Sequence, residues 1–291
     1  MKILVNEKPS AMRVRQGFQT LLTQTRGDTK FKPNLFDLVD VDVTIKDLPF
    51  EFHNYRIVNL TDIHLGQWIS PEYLSGVVDY VNSINPDMIT LTGDYISYIL
   101  EGYEDALLDS FKRLKAKDGK FAVLGNHDHW ADAEKIREIL KESDIVDLSN
   151  DVYTLEKNGE TLNISGVDSC TVGADNIDEV LEKLPDDGAS ILLAHEPDFA
   201  KISSETNRFD LQMSGHSHGG QLVIPGVKTT PFRCSYSIKY PVGMYKVKDM
   251  VQYTSKGLGT NSFWLRINCK PEITLFYLKT DQRKSIEIKG V

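Results

Sequence analysis

Cysteine is scarce in this 291-residue chain, with three widely spaced residues, Cys170, Cys234 and Cys269. They form no C-x-x-C pair and no secreted disulfide framework, which points to a reducing compartment. Basic residues are in deficit, 33 against 42 acidic ones, for a formal net charge of −9. Such a chain lacks the positive field of non-specific nucleic-acid binding, so a general nuclease or chromatin protein is disfavoured. The run "FKRLKAK" (111–117) does not overturn this, because its spacing fits the solvated face of a helix. No apolar run approaches the roughly 20 residues that span a bilayer, and no basic-then-apolar signal segment opens the chain. Low-complexity tracts, fixed-period repeats and linkers rich in Pro, Gly and Ser are missing as well. The expectation is one domain over residues 1–291, with 1–50 as an N-terminal extension or edge-strand segment, located in the cytoplasm.

Hydrophobic residues make up 41% of the chain, enough for a sizeable core. Five short apolar runs stand out: "YRIVNL" (55–60), "DMITLT" (87–92), "KFAVL" (120–124), "SILLA" (190–194) and "FDLQMS" (209–214). Unbroken β-branched and apolar runs of this length fit parallel strands buried on both faces. Helical spacing fills the gaps between the first three, at 71–84 and 103–116, and follows at 132–141, with Ser70 and Pro71 as a start signal. Asp62 to Asp94 and Asp94 to Asn126 are each 32 residues apart, the length of one strand–helix–strand unit. The first half is therefore α/β. In the second half, Asn158-Gly159 marks a hairpin within 152–167, and 243–278 predicts further hairpins. Residues 37–50 alternate like an edge-type strand.

Each apolar run ends in metal-ligand residue types: Asp62-x-His64, Gly93-Asp94, Gly125-Asn126-His127-Asp128, His195-Glu196 and Gly215-His216-x-His218. Ligands of open α/β sheets bind beyond the carboxyl ends of the strands, so these endings should converge. The pooled side chains suit borderline divalent ions such as Mn²⁺, Fe²⁺ and Zn²⁺. Three ligands would hold one ion, and seven, with one bridging carboxylate, would hold two. Each motif taken alone is a turn or a core histidine; their joint order after five strands is what indicates a metal centre.

The five blocks together resemble the signature of the calcineurin-like metallophosphoesterases. The phrases "TDIHLG", "GNHDHW", "AHEPDFA" and "SGHSHGGQ" are most similar to the YkuE-type branch, related to UDP-2,3-diacylglucosamine pyrophosphatases. The resemblance covers residues 55–221 and more loosely the ending "KGLGTNSF…KPEIT". It implies a four-layer αββα sandwich of two mixed sheets flanked by helices. It also implies two divalent metal ions (Mn, Fe or Zn): Asp62, His64 and His218 on the first, Asn126, His195 and His216 on the second, and Asp94 bridging. Gly215 and Gly219 are expected to let the backbone turn tightly. Asp128 is expected to position its loop, and His53 and His129 to be non-ligands.

The implied reaction is in-line attack by a metal-bridging hydroxide on a phosphodiester or pyrophosphate bond, with His127 as general acid for the leaving alkoxide. Protein phosphatases of this superfamily carry a second Asp and an Arg soon after the Gly-Asp block. Here "GDYISYIL" (93–100) has no Arg, which weakens a serine/threonine phosphatase reading. The expected substrate is a small-molecule or lipid phosphoester, not nucleic acid, and a lipid substrate would require peripheral membrane contact. A phosphomonoesterase and a non-catalytic scaffold of the same fold are the alternatives. Trp68, Tyr95, Tyr98, Trp130, Phe263 and Trp264 could wall the substrate or pack in the core, and Arg233 could pair with a second phosphate.

Overall fold

Ser70 caps the first long helix as its position predicts. Its hydroxyl accepts the Tyr73 N–H at 3.2 Å, Pro71 occupies the first turn, and Asn85 ends the helix in a left-handed conformation. Local rules of this kind recur along the chain in the computed structural model, which describes residues 32–66, 69–224, 234–261 and 266–281. Trp68, Arg233, Phe263 and Trp264 lie outside the described residues. The first part of the chain forms β1 (Asp37–Ile45), β2 (Tyr55–Leu60), α1 (Pro71–Ile84), β3 (Met88–Thr92), α2 (Glu104–Arg113), β4 (Lys120–Val123), α3 (Asn126–Glu142) and β5 (Val146–Asp147). The second part forms β6 (Asp151–Lys157), β7 (Glu160–Gly166), α4 (Ile177–Lys183), β8 (Ala189–Leu193), α5 (Ala200–Ser203), β9 (Leu211–Ser214), β10 (Gly243–Val247), β11 (Met250–Thr254) and β12 (Glu272–Thr280).

These strands make two six-stranded mixed sheets, in the orders β1-β12-β2-β3-β4-β5 and β10-β11-β9-β8-β7-β6. In the first, β2, β3, β4 and β5 are parallel and β12 runs against β2. In the second, β7, β8, β9 and β11 are parallel, with β6 and β10 antiparallel at the two edges. One apolar layer joins the sheets face to face: Ile57, Val123 and Phe276 of the first pack with Ile164, Ile191 and Met213 of the second. On the outer face of the first sheet lie α1, α2 and α3. The outer face of the second is covered by α4 and α5. Helix α1 buries Tyr73, Leu74, Val77, Val78 and Val81 there, at about 1.5–3 kcal/mol for each fully buried aliphatic side chain. The fold is thus α/β, two mixed sheets flanked by helices in four layers.

Two sequence expectations need correction. Residues 37–50 do not form one strand, since β1 ends at Ile45 before the turn through Leu48-Pro49. Within 243–278, β10 and β11 form the expected hairpin, whereas β12 crosses to the other sheet, between β1 and β2. Its antiparallel pairing with a strand more than 200 residues earlier leaves no local signal. Helix α3 begins at Asn126, but extended dihedrals at Asp132 break it there, and its second part is the helix that the spacing over 132–141 predicts.

Candidate metal centre

The strand-end motifs sit at the carboxyl ends of five parallel strands, β2, β3 and β4 in one sheet and β8 and β9 in the other. Backbone bonds couple their turns: Asp62 N–H to the Gly93 carbonyl, His64 N–H to the Asp94 carbonyl, and Gly215 N–H to the His195 carbonyl, at 2.9–3.0 Å. Asp62, His64, Asp94, His216 and His218 all hold φ between 49° and 67°, the left-handed region that non-glycine residues avoid. Each such residue costs on the order of 1–3 kcal/mol and persists only where its surroundings over-determine it. Five in one cluster mark a site whose side-chain directions outweigh backbone comfort.

All seven predicted ligands are buried. His218 Nε2 stands 3.2 Å from Asp62 Oδ1 and 3.2 Å from His64 Nε2. His195 Nε2 stands 3.1 Å from His216 Nδ1 and 3.2 Å from Asp94 Oδ2. The same Asp94 oxygen is 3.6 Å from His64 Nε2, so it faces both groups. Two atoms that each lie about 2.1 Å from one ion are roughly 3.0–3.4 Å apart. The four spacings of 3.1–3.2 Å fit that constraint, while His64 Nε2 stands farther off, 3.6 Å from Asp94 Oδ2 and 4.0 Å from Asp62 Oδ1. Asp94 Oδ2, Asn126 Oδ1 and His64 Nδ1 are buried with no hydrogen-bond partner among the described residues. A buried carboxylate oxygen and amide oxygen without donors are costly unless a cation satisfies them. The residues present therefore fit a metal centre: Asp62, His64 and His218 could hold one ion, Asn126, His195 and His216 another, and Asp94 could serve both.

Further groups set the ligand directions. His195 Nδ1 meets the Thr92 carbonyl at 2.7 Å and His216 Nε2 the Ser235 carbonyl at 2.8 Å, which leaves the opposite nitrogen of each ring for a cation. Asp62 accepts the His216 N–H and the Thr61 hydroxyl. Asp128 binds no ring; its carboxylate accepts the N–H groups of Asp94, Tyr95 and Gly125 at 2.7–2.9 Å and so ties the β3 and β4 motifs together. Gly219, at φ 59°, supplies the left-handed turn expected of it. Gly215 acts differently: a Cβ there would lie 2.1 Å from Thr61 Oγ1 and 2.2 Å from Asp62 Oδ2, so it provides clearance, not turning freedom. Likewise a Cβ on Gly125 would lie 2.3 Å from Asp94 Oδ1.

Burial pushes the Asp62 carboxyl up to about 7, reinforced by the negative Asp94 and opposed by His195. Burial disfavours a charged His195, but the adjacent Asp94 carboxylate outweighs it and holds the imidazolium well above the ordinary range. Burial alone would raise Asp94 too, yet its surrounding imidazoles, His195 foremost, hold it well below. Without a cation, the cluster therefore keeps protons near neutrality on Asp62 and His195, two groups that must lose them to ligate. Both pKa values are raised, so divalent-ion affinity should rise with pH, through about 7 for the Asp62 proton and further as the His195 proton becomes easier to displace. Calorimetric titration of Mn²⁺ near pH 7, in buffers of different ionisation enthalpy, should show net proton release; buffer-independent heats would contradict this.

His127 lies in the first turn of α3, its N–H donating to Asp94 Oδ1 at 2.9 Å. Its Nδ1–H donates to the Ser97 carbonyl, and its ring is 4.7 Å, centre to centre, from that of His64. The atoms of His64, Asp94 and His127 form a third compact group, which puts His127 beside the shared carboxylate. Tyr98 and Trp130 flank the His127 ring at 4.8 and 4.7 Å. Tyr95 is no wall residue; it is fully buried against Phe111, with its hydroxyl on the Leu91 and Val123 carbonyls. His53 bonds Thr280 and His129 bonds Asp168 at 2.6 Å, outside the cluster. Sequence reasoning missed Arg266, whose guanidinium staples the carbonyls of Lys256, Gly257 and Gly259 and approaches His218 Nδ1 at 3.5 Å. The run "RINCK" around it contains no ligand spacing that would have flagged it.

A family model for the calcineurin-like phosphoesterases matches residues 55–220, the span that carries every one of these motifs. The chain is 32% identical over 254 residues to the uncharacterised metallophosphoesterase YkuE of Bacillus subtilis (strain 168), over 86% of this chain and 87% of that protein. It is 30% identical over 259 residues to a transmembrane protein with metallophosphoesterase domain from Danio rerio, over 83% of this chain and 57% of that longer protein. With phosphodiesterase YaeI of Escherichia coli (strain K12) it shares 29% identity over 228 residues, 77% of this chain and 82% of that protein. Among the described residues no helix is long and apolar enough to cross a membrane. The sequence match across more than half of the chain, and the buried cluster inside it, make this protein a member of the calcineurin-like phosphoesterase family.

Proposed function

We propose that the protein is a dinuclear metal-dependent phosphoesterase that hydrolyses a phosphodiester or pyrophosphate bond of a small-molecule or lipid substrate. The observation that carries this reading is Asp94 Oδ2, buried and placed 3.2 Å from His195 Nε2 and 3.6 Å from His64 Nε2. One oxygen between two sets of ligands is the arrangement that a pair of cations sharing a carboxylate would need. When bound, the two ions would neutralise phosphoryl charge and lower the pKa of a water towards neutrality.

The protein's own groups would do the rest. With Nδ1–H committed to the Ser97 carbonyl, His127 carries its transferable proton at Nε2, for delivery to the leaving alkoxide. Tyr98 and Trp130 hold that ring from the side and limit water around it. Trp130, 40% exposed, also offers an apolar face to a leaving group. No arginine follows Asp94 in "GDYISYIL", and Ser97 there is spent on the His64 carbonyl at 2.9 Å. This favours a diester or pyrophosphate over a phosphoprotein. We place the activity in the cytoplasm, with peripheral bilayer contact where the substrate is a lipid.

The reading is tested by bis-p-nitrophenyl phosphate turnover with added Mn²⁺, before and after chelation, beside p-nitrophenyl phosphate. Metal-dependent cleavage of the diester, lost on chelation and restored by Mn²⁺, is the expected result. Absence of metal-dependent turnover would favour a non-catalytic scaffold, and preference for the monoester would favour a phosphomonoesterase.

A further inference from the structure

The segment after His195 contains two carboxylates, Glu196 and Asp198, that no ligand role uses. Glu196, fully buried, accepts the Ser169 hydroxyl at 2.5 Å and the N–H groups of Cys170 and Thr171 at 3.2 and 3.1 Å. Asp198 reaches the other way. Its Oδ2 accepts the Ile238 N–H at 2.9 Å, its Oδ1 accepts those of Lys239 and Tyr240 at 2.9 and 3.2 Å, and its own N–H donates to the Tyr236 carbonyl at 2.8 Å. Four bonds thus fasten residues 236–240 to one aspartate.

That loop has one task visible in the site. Ser235 presents its carbonyl to His216 Nε2 at 2.8 Å, which requires the proton on Nε2 and leaves the Nδ1 lone pair facing His195 Nε2 at 3.1 Å. The adjacent Tyr236 sits at φ 63°, a left-handed conformation that a bulky aromatic residue does not adopt unaided. Tyr236 is also 48% exposed, so core packing does not hold it there. It is held instead by bonds on either side: the Asp198 backbone N–H on its carbonyl, the Asp198 carboxylate on residues 238–240, and the Ser237 N–H and hydroxyl on the Cys234 carbonyl.

We infer that Asp198 is a positioning residue: its carboxylate clamps residues 238–240 and so holds the Ser235 carbonyl that sets the tautomer and direction of His216. This rests on the reading of His216 as a metal ligand. Removal of a partner that orients a ligating histidine typically costs about 10–100-fold in metal affinity. Because His216 belongs to the group with Asn126 and His195, the loss should fall on one ion and spare the other.

The test compares wild type, Asp198→Ala and Asp198→Asn by calorimetric Mn²⁺ titration and by imidazole ¹⁵N shifts of the metal-free protein. The expected result is two Mn²⁺ per chain in wild type. The weaker-bound or the tighter-bound ion, but only one of them, should lose about 10–100-fold in Asp198→Ala. Asp198→Asn, which keeps an acceptor oxygen, should lose less. In the metal-free protein His216 should be the Nε2–H tautomer in wild type and a mixture in Asp198→Ala. Two ions held with wild-type affinity and an unchanged His216 tautomer in Asp198→Ala would overturn the clamp while leaving the dinuclear reading intact. Fewer than two ions in wild type would overturn both. If Asp198→Ala does not fold, Asp198→Ser, whose short hydroxyl cannot take all three N–H groups, decides the matter by the same two readouts, and wild-type values for both refute the inference.

Discussion

Replacing Asp94 by alanine should lower metal-dependent phosphodiester cleavage by well over 100-fold. Groups that merely orient a metal ligand are worth about 10–100-fold, and Asp94 does more than orient. Its Oδ2 faces His195 Nε2 and His64 Nε2 from opposite groups, while its Oδ1 accepts the His127 N–H at 2.9 Å. Its loss would thus weaken both ion sites and release the turn that carries His127. Asp94→Asn separates these contributions, since the amide oxygen can still accept the His127 N–H but the shared negative charge is gone. The expected outcome is near-complete loss of kcat in both variants, with the fold kept in Asp94→Asn and metal content reduced in each. Metal analysis and kcat/KM for bis-p-nitrophenyl phosphate provide the check. An Asp94→Asn protein that retains two metal equivalents and turns over normally would refute the bridging role.

The second large effect depends on the substrate. A positioned general acid contributes about 10²–10⁴-fold, but only when the departing oxygen is basic enough to need the proton. His127→Gln should therefore cost about 10²–10⁴-fold in kcat on an alkyl phosphodiester and little on a p-nitrophenyl ester, whose phenolate leaves unaided. The geometry permits this selectivity because His127 lies beside the cluster of His64 and Asp94 while its Nδ1 is occupied by the Ser97 carbonyl. Equal losses on both substrates would mean that His127 serves in binding or in holding the site, not in proton transfer.

Much of the site was legible because metal ligation demands a few residue types, and parallel strands place them at predictable points. Strand β2 covers residues 55–60, as its apolar run predicts, and Asp62-x-His64 follows directly. The glycines before Asp94, Asn126 and His216 were readable as motif members, but their physical purpose was not. Nothing local in "SGHSH" says that a Cβ on Gly215 would strike Asp62, 153 positions earlier. The left-handed backbone at Asp62, His64, Asp94, His216 and His218 was equally hidden, because it is imposed by the cluster and not by local preference. Arg266, Ser235 and Asp198 escaped for a related reason: they act through backbone carbonyls and N–H groups, which every residue possesses.

By itself, then, the chain's pattern of apolar runs, helix starts and His/Asp endings determined which segments are strands and which side chains are chemically able to hold cations. Local hydrogen bonding and burial act over a few residues, so such features are written where they occur. The tertiary structure alone decided that β12 inserts between β1 and β2 and that the motifs divide between two sheets. It also brought one oxygen of Asp94 between two histidine groups. Those outcomes depend on contacts between residues tens to hundreds of positions apart, whose free energy exists only once both sheets have closed on their common core.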